Sequence, residues 1–234
     1  MNIKGKHYLT IWHDQDKDIV KIIDQTKLPF NFEIKDLKSY QDGFDAIKNM
    51  LVRGAPLIGA TAAYSLYLAA KENEDYNFIK TKVDHIKTAR PTAVNLSWAA
   101  ERILKNIDQS NVKISILNEC KKICEEDVKI SESIGEYGLS LIKNLKKEKV
   151  NILTHCNAGW LATIDWGTAT APIYKSKNAG LNINVWVDET RPRNQGSSLT
   201  SFELLNENVE HKVIADNTGG LLMQRGMVDI CIVG

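Results

Sequence analysis

The chain has 234 residues, 43% hydrophobic and 25% charged, which is enough material for one or two cores and excludes a disordered or fibrous protein. Its 30 Lys and Arg nearly cancel its 29 Asp and Glu, so the net charge of +1 gives no electrostatic case for nucleic acid or an anionic membrane. The start, MNIKGKHYLTIW, lacks the apolar core of a secretory signal, and no apolar run reaches the roughly 18 residues that span a bilayer, so the expected location is the cytoplasm.

Residues 1 to about 35 alternate short apolar and polar runs, which predicts small antiparallel strands turning around Asp14-Gln15-Asp16. A helical period begins near Asp36 and runs through Ala46, Ile47, Met50 and Leu51 until Arg53-Gly54-Ala55-Pro56 breaks it. The next helix opens on Pro56, a residue suited to the first helical turn, and Gly59, Ala60, Ala62 and Ala63 make it narrow enough for close packing. A short helix over Phe78–Lys87 follows. Arg90-Pro91-Thr92 then repeats the earlier device, arginine before helix, ahead of a segment from Ala93 to Ile107 with its Leu96, Ala99, Ala100 and Ile103 stripe. Between Asn111 and Lys147 the period predicts one long helix or two.

From Val150 the pattern changes to β-rich runs separated by helix-length segments, as in βαβ units on a parallel sheet. The runs are Val150–Thr154, Ile183–Val187, Lys212–Ala215 and Val228–Val233. The crossover helices are expected at Leu161–Ala179, Ser198–Asn206 and Thr218–Arg225. This change places a domain boundary near residues 115 to 130, giving domains of 1–125 and 126–234. The fold class is therefore α/β: a small, mainly helical N-terminal domain with short strands, then a Rossmann-like parallel-sheet domain.

Ligands of open parallel sheets bind beyond the carboxyl ends of the strands. His155-Cys156-Asn157 follows the first predicted strand, Asp188 to Gly196 the second, and Asp216-Asn217 the third, so polar residues load one end of the sheet. Arg53-Gly54-Ala55 and Arg90-Pro91-Thr92 each precede a helix, where free N–H groups, the positive dipole end and a guanidinium fork favour an anion. Together they suggest a phosphate clamp.

Cys156 is ambiguous by itself. A cysteine at a strand end is often a small core residue, whereas one near a helix N-terminus, which Asn157-Ala158-Gly159 would supply, is a better proton donor or acceptor. A Cys-His-Asn protease reading is weak, because neighbours in a strand point to opposite faces and leave His155 poorly placed to serve Cys156. Cys120 and Cys124, four apart on a helix face, read as a structural pair of free thiols, with no second pair at zinc spacing.

The segments RGAPLIGATAAY, ARPTAVNL, ILTHCNAGWLAT, DETRPRNQGSSLTSFEL and ADN…G…VDICIVG, in that order, strongly resemble the methylthioribose-1-phosphate isomerase family of methionine salvage. The resemblance spans nearly the whole chain. It implies aldose-to-ketose isomerisation of 5-methylthioribose 1-phosphate to 5-methylthioribulose 1-phosphate, without metal or nucleotide cofactor. It makes Cys156 the catalytic thiol and places substrate contacts at Arg53, Gly54, Ala55, Arg90 and Gln195. It further implies a homodimer formed through the C-terminal domain. Family members continue beyond the Ile-Val-Gly strand into Ala-Asp-Arg, whose aspartate partners the cysteine. The Rossmann-like domain is thus expected to be incomplete at Gly234, and this chain by itself is expected to be nearly inactive. Two alternatives remain open: an isomerase of another 5-modified pentose 1-phosphate, and a non-catalytic sugar-phosphate- or nucleotide-binding module like the regulatory subunits of the initiation-factor exchange complex.

Overall fold

Short strands come first, as their alternation predicts. In the computed structural model, which describes residues 1–234, β1 (Asn2–Ile3) pairs antiparallel with β2 (Lys6–His7), and β3 (Ile11–Asp14), β4 (Ile19–Ile23) and β5 (Ile34–Leu37) form a second antiparallel sheet in that order. The expected helical period from Asp36 is displaced here. Asp36 pairs with Lys21 across β4 and β5, and helix α1 (Tyr40–Lys48) waits for Ser39. The Ser39 side chain accepts from the Asp42 N–H while the Asp42 side chain accepts from the Ser39 N–H, a reciprocal cap that fixes the helix start.

Helices α2 (Ala55–Glu72), α3 (Tyr76–Ile86), α4 (Val94–Lys105) and α5 (Val112–Asn144) follow, α5 being one long helix. α2 is buried on every side from Leu57 to Ala70, as a helix apolar all round must be. Its small residues admit the neighbours. A Cβ on Gly59 would sit 3.0 Å from the Asn95 carbonyl oxygen, so the starts of α2 and α4 lie against each other. On α1, Gly43 makes the matching approach to Ser65 of α2.

The second half is a parallel sheet ordered β8-β7-β6-β9, from β6 (Val150–His155), β7 (Ile183–Asp188), β8 (His211–Ile214) and β9 (Ile230–Cys231). Helices α6 (Ala171–Asn178), α7 (Ser201–Asn206) and α8 (Thr218–Gln224) lie in the connections. The crossover expected to be helical from Leu161 is mostly loop: a 3-10 turn covers Trp160–Ala162, and α6 begins only at Ala171, with Pro172 in its first turn. Trp166 (φ 66) and Gly167 (φ 80) are left-handed and interrupt any helix between the 3-10 turn and α6. Gly167 lies so close to Gly159 that a Cβ would sit 2.4 Å from the Gly159 carbonyl carbon.

The chain divides into two units. One holds Thr10–Lys27 and Phe32–Asp127, and the other Met1–Leu9, Leu28–Asn31 and Val128–Gly234. The division falls inside α5, and the first nine residues group with the parallel sheet rather than with the helices that follow them. His7 accounts for part of this grouping, because its Nε2 lies 2.9 Å from Asp165 Oδ2 in the loop after the 3-10 turn. No helix is long and apolar enough to cross a membrane.

Candidate active site

β6 and β7 run side by side with His155 in register with Asp188, so their loops open at one end of the sheet. There, His155, Cys156, Thr190, Arg191, Arg193 and Gln195 line a cavity of about 410 Å³. The Cys156 thiol donates to Gln195 Oε1 at 2.8 Å, across 39 residues of sequence. Two of the residues singled out in the sequence thus meet.

Strand alternation does not govern His155 and Cys156. β6 ends at His155, and Cys156 is left-handed at φ 58, a conformation that costs a non-glycine residue roughly 1–2 kcal/mol. The backward turn lets both side chains face one cavity. They are not partnered as in a thiol protease, since the Cys156 thiol goes to Gln195 and His155 Nδ1 lies 3.0 Å from Asp188 Oδ2. This pairing fixes the ring and leaves its other nitrogen free of Asp188. Asp188 Oδ1 and Thr190 Oγ1 are buried without a hydrogen-bond partner, and Thr190 is one of the residues that line the cavity. The expected helix N-terminus behind Cys156 is absent, because Asn157–Gly159 lead into the 3-10 turn instead.

Two carboxyl groups that the sequence did not single out as anchors hold the loops. Glu189 Oε1 accepts from the backbone N–H of Thr190 and Gly196 at 2.9 Å, and from Ser197 at 3.3 Å, closing the loop that carries Gln195. Burial opposes its charge, but these donors prevail and hold the carboxyl below the usual Glu range. Glu203 on α7 is wholly buried and accepts from Asn157 Nδ2, Leu161 N, Trp160 N and the Tyr174 hydroxyl at 2.8 to 3.1 Å. Burial pushes its carboxyl above the usual range in spite of those donors. An acidic residue flanked by Phe202 and Leu204 was the signal available for it.

Arg53, Gly54, Ala55 and Arg90 belong to the other unit. Gly54 precedes α2 at φ 88, a left-handed position that suits glycine, and Ala93 precedes α4 in extended conformation. Neither supplies a side-chain cap, whereas α1 and α3 of the same unit are capped by Ser39 and Asp75. The arginine-headed helices therefore begin with first-turn N–H groups that no cap side chain takes.

The model of the initiation factor 2 subunit family matches residues 51–234. Methylthioribose-1-phosphate isomerases of Methylocella silvestris and Escherichia coli are 50% and 51% identical over 100% of the chain. The chain spans 66% and 65% of their respective lengths, just under two thirds. Among solved structures, 5-methylthioribose 1-phosphate isomerase from Pyrococcus horikoshii OT3 superposes with a TM-score of 0.86 at 36% identity, over 98% of this chain and 66% of that one. The translation initiation factor eIF-2B subunit delta from A. fulgidus gives 0.85 at 40% identity, over 97% and 68%.

Proposed function

The chain belongs to the initiation factor 2 subunit family, and from that premise we propose that it forms the thiol-bearing part of an aldose–ketose isomerase acting on 5-methylthioribose 1-phosphate. The observation that carries this reading is the contact of the Cys156 thiol with Gln195 in the cavity at the carboxyl end of the sheet. The similarity to enzymes named for this reaction supports the substrate.

In this reading Cys156 exchanges a proton with the sugar as hydrogen passes between C1 and C2, and Gln195 orients both thiol and substrate. His155, steadied by Asp188, and the unpartnered Thr190 hydroxyl contact sugar oxygens. Arg53, with the Gly54 and Ala55 backbone, and Arg90 bind the phosphate, to which uncapped helix starts contribute N–H groups and dipole. The protein acts in the cytoplasm as a homodimer built through the parallel-sheet unit.

The test is turnover of 5-methylthioribose 1-phosphate by the full-length protein, with other 5-modified pentose 1-phosphates in parallel. Cys156→Ser is expected to lower kcat on the order of 10²- to 10⁴-fold while sugar-phosphate binding persists. Unchanged turnover removes Cys156 from the mechanism. A second reading, a binding module without chemistry, has support in the likeness to the A. fulgidus subunit. Thermal stabilisation by the sugar phosphate without turnover in the wild-type protein favours it.

A further inference from the structure

Cys156 is held from two directions, and both lead to one segment of chain. On one side the Thr200 hydroxyl donates to the Cys156 carbonyl at 2.6 Å. On the other, Asn157 donates through Nδ2 to Thr200 Oγ1 at 3.1 Å and to Glu203 Oε1 at 2.8 Å. Thr200 ends a π turn (Gly196–Thr200) that continues directly into α7, and the residue before that turn is Gln195, the partner of the thiol. One continuous stretch from Gln195 to Glu203 therefore holds the cysteine loop and presents the thiol's hydrogen-bond acceptor.

Glu203 is the anchor of that grip. Its Oε1 also takes the Leu161 N–H at 3.0 Å, while Oε2 takes the Trp160 N–H at 3.1 Å and the Tyr174 hydroxyl at 2.8 Å. Four donors point at one carboxyl with no exposed surface. The loop has shaped itself around it, since a Cβ on Gly159 would lie 1.8 Å from Oε2. A buried carboxyl is costly unless its oxygens are satisfied, and here each oxygen has two donors. Only a carboxylate offers that pattern. Glutamine would turn an amide NH₂ toward N–H donors, and an apolar residue would leave four donors unpaired.

We propose that Glu203 is a positioning residue that sets the placement of Cys156 relative to Gln195, and hence the rate rather than the affinity of the reaction. The inference rests on the isomerase reading for its kinetic consequence, and on geometry alone for its effect on the thiol. Cys156 holds a left-handed conformation (φ 58) that is unfavourable for a non-glycine residue, and a displacement of about 1 Å in a reacting group can cost on the order of 10²-fold in rate.

The experiment compares Glu203→Gln and Tyr174→Phe with wild type in the full-length protein. It measures kcat, KM, thermal melting, and the rate at which iodoacetamide alkylates Cys156, read by peptide mass mapping because Cys124 and Cys231 are also free thiols. Glu203→Gln is expected to lower kcat roughly 10²-fold with KM changed less than about 3-fold, and to change the Cys156 alkylation rate about 5-fold or more. Tyr174→Phe, which removes one donor and keeps the carboxylate, should shift both in the same direction by about 3- to 10-fold, and it carries the test if Glu203→Gln does not fold. A lower melting temperature with unchanged kcat and alkylation rate, well below the melt, would overturn the proposal and leave Glu203 a structural strut. Absence of turnover in wild type would refute the isomerase reading alone. The alkylation rates would then still decide whether Glu203 places the thiol.

Discussion

The loops beyond β6 and β7 and the starts of α2 and α4 both offer polar groups, yet they are built in opposite ways. In the first region most of the named side chains are paired, Cys156 with Gln195, His155 with Asp188, and Glu189 and Glu203 with backbone N–H groups, while Asp188 Oδ1 and Thr190 Oγ1 are left without a partner. In the second, close packing of small residues brings two helix ends together and no side chain caps them. The first region is organised in advance, the arrangement that the proposed proton transfer needs; the second leaves its first-turn N–H groups without a cap side chain, the arrangement that the proposed phosphate contact needs.

The contrast breaks most readily at glycine. Gly159→Ala forces a methyl against the buried Glu203 carboxyl and is expected to destabilise the protein by about 3 kcal/mol, seen as a lower melting temperature. Gly59→Ala, whose methyl would meet the Asn95 carbonyl at 3.0 Å, should cost about 1 kcal/mol or less, because alanine's helix propensity offsets the crowding. Equal losses would show that the two regions tolerate crowding alike and that the carboxyl cradle is not specially rigid. A smaller effect sharpens the other side. Ala93→Asp supplies the missing cap to α4 and should stabilise the protein by about 1 kcal/mol while raising KM for the sugar phosphate roughly 5-fold, as the new carboxylate competes with phosphate for the N–H groups. Greater stability with KM unchanged would separate the α4 start from the phosphate.

Much of this was legible in the sequence because the relevant signals are local. The β-rich runs from Val150 onward predict the four parallel strands within a few residues, and Pro56 marks the first turn of α2. The failures have equally local causes. Asp36 lies in a helical period, but pairing of β5 with β4 outweighs it, and the left-handed Trp166 and Gly167 interrupt a crossover that composition alone makes helical. Within the candidate site, Cys156 and Gln195 stood out through their motifs, and the structure brings them together. Glu203 did not, because its meaning depends on Asn157, Trp160 and Leu161, more than 40 residues earlier, reaching it only in the folded chain. The face on which His155 lies was misjudged because strand alternation stops one residue before the left-handed Cys156.

Substrate protection of the thiol tests the central claim most directly. The full-length protein is treated with iodoacetamide with and without 5-methylthioribose 1-phosphate, and labelling of Cys156 and the exposed Cys231 is followed beside activity. The isomerase account predicts that activity falls in step with Cys156 labelling, that substrate at about ten times its Kd slows both roughly tenfold, and that Cys231 is unaffected. Complete labelling of Cys156 with activity intact, or labelling indifferent to substrate, would contradict it.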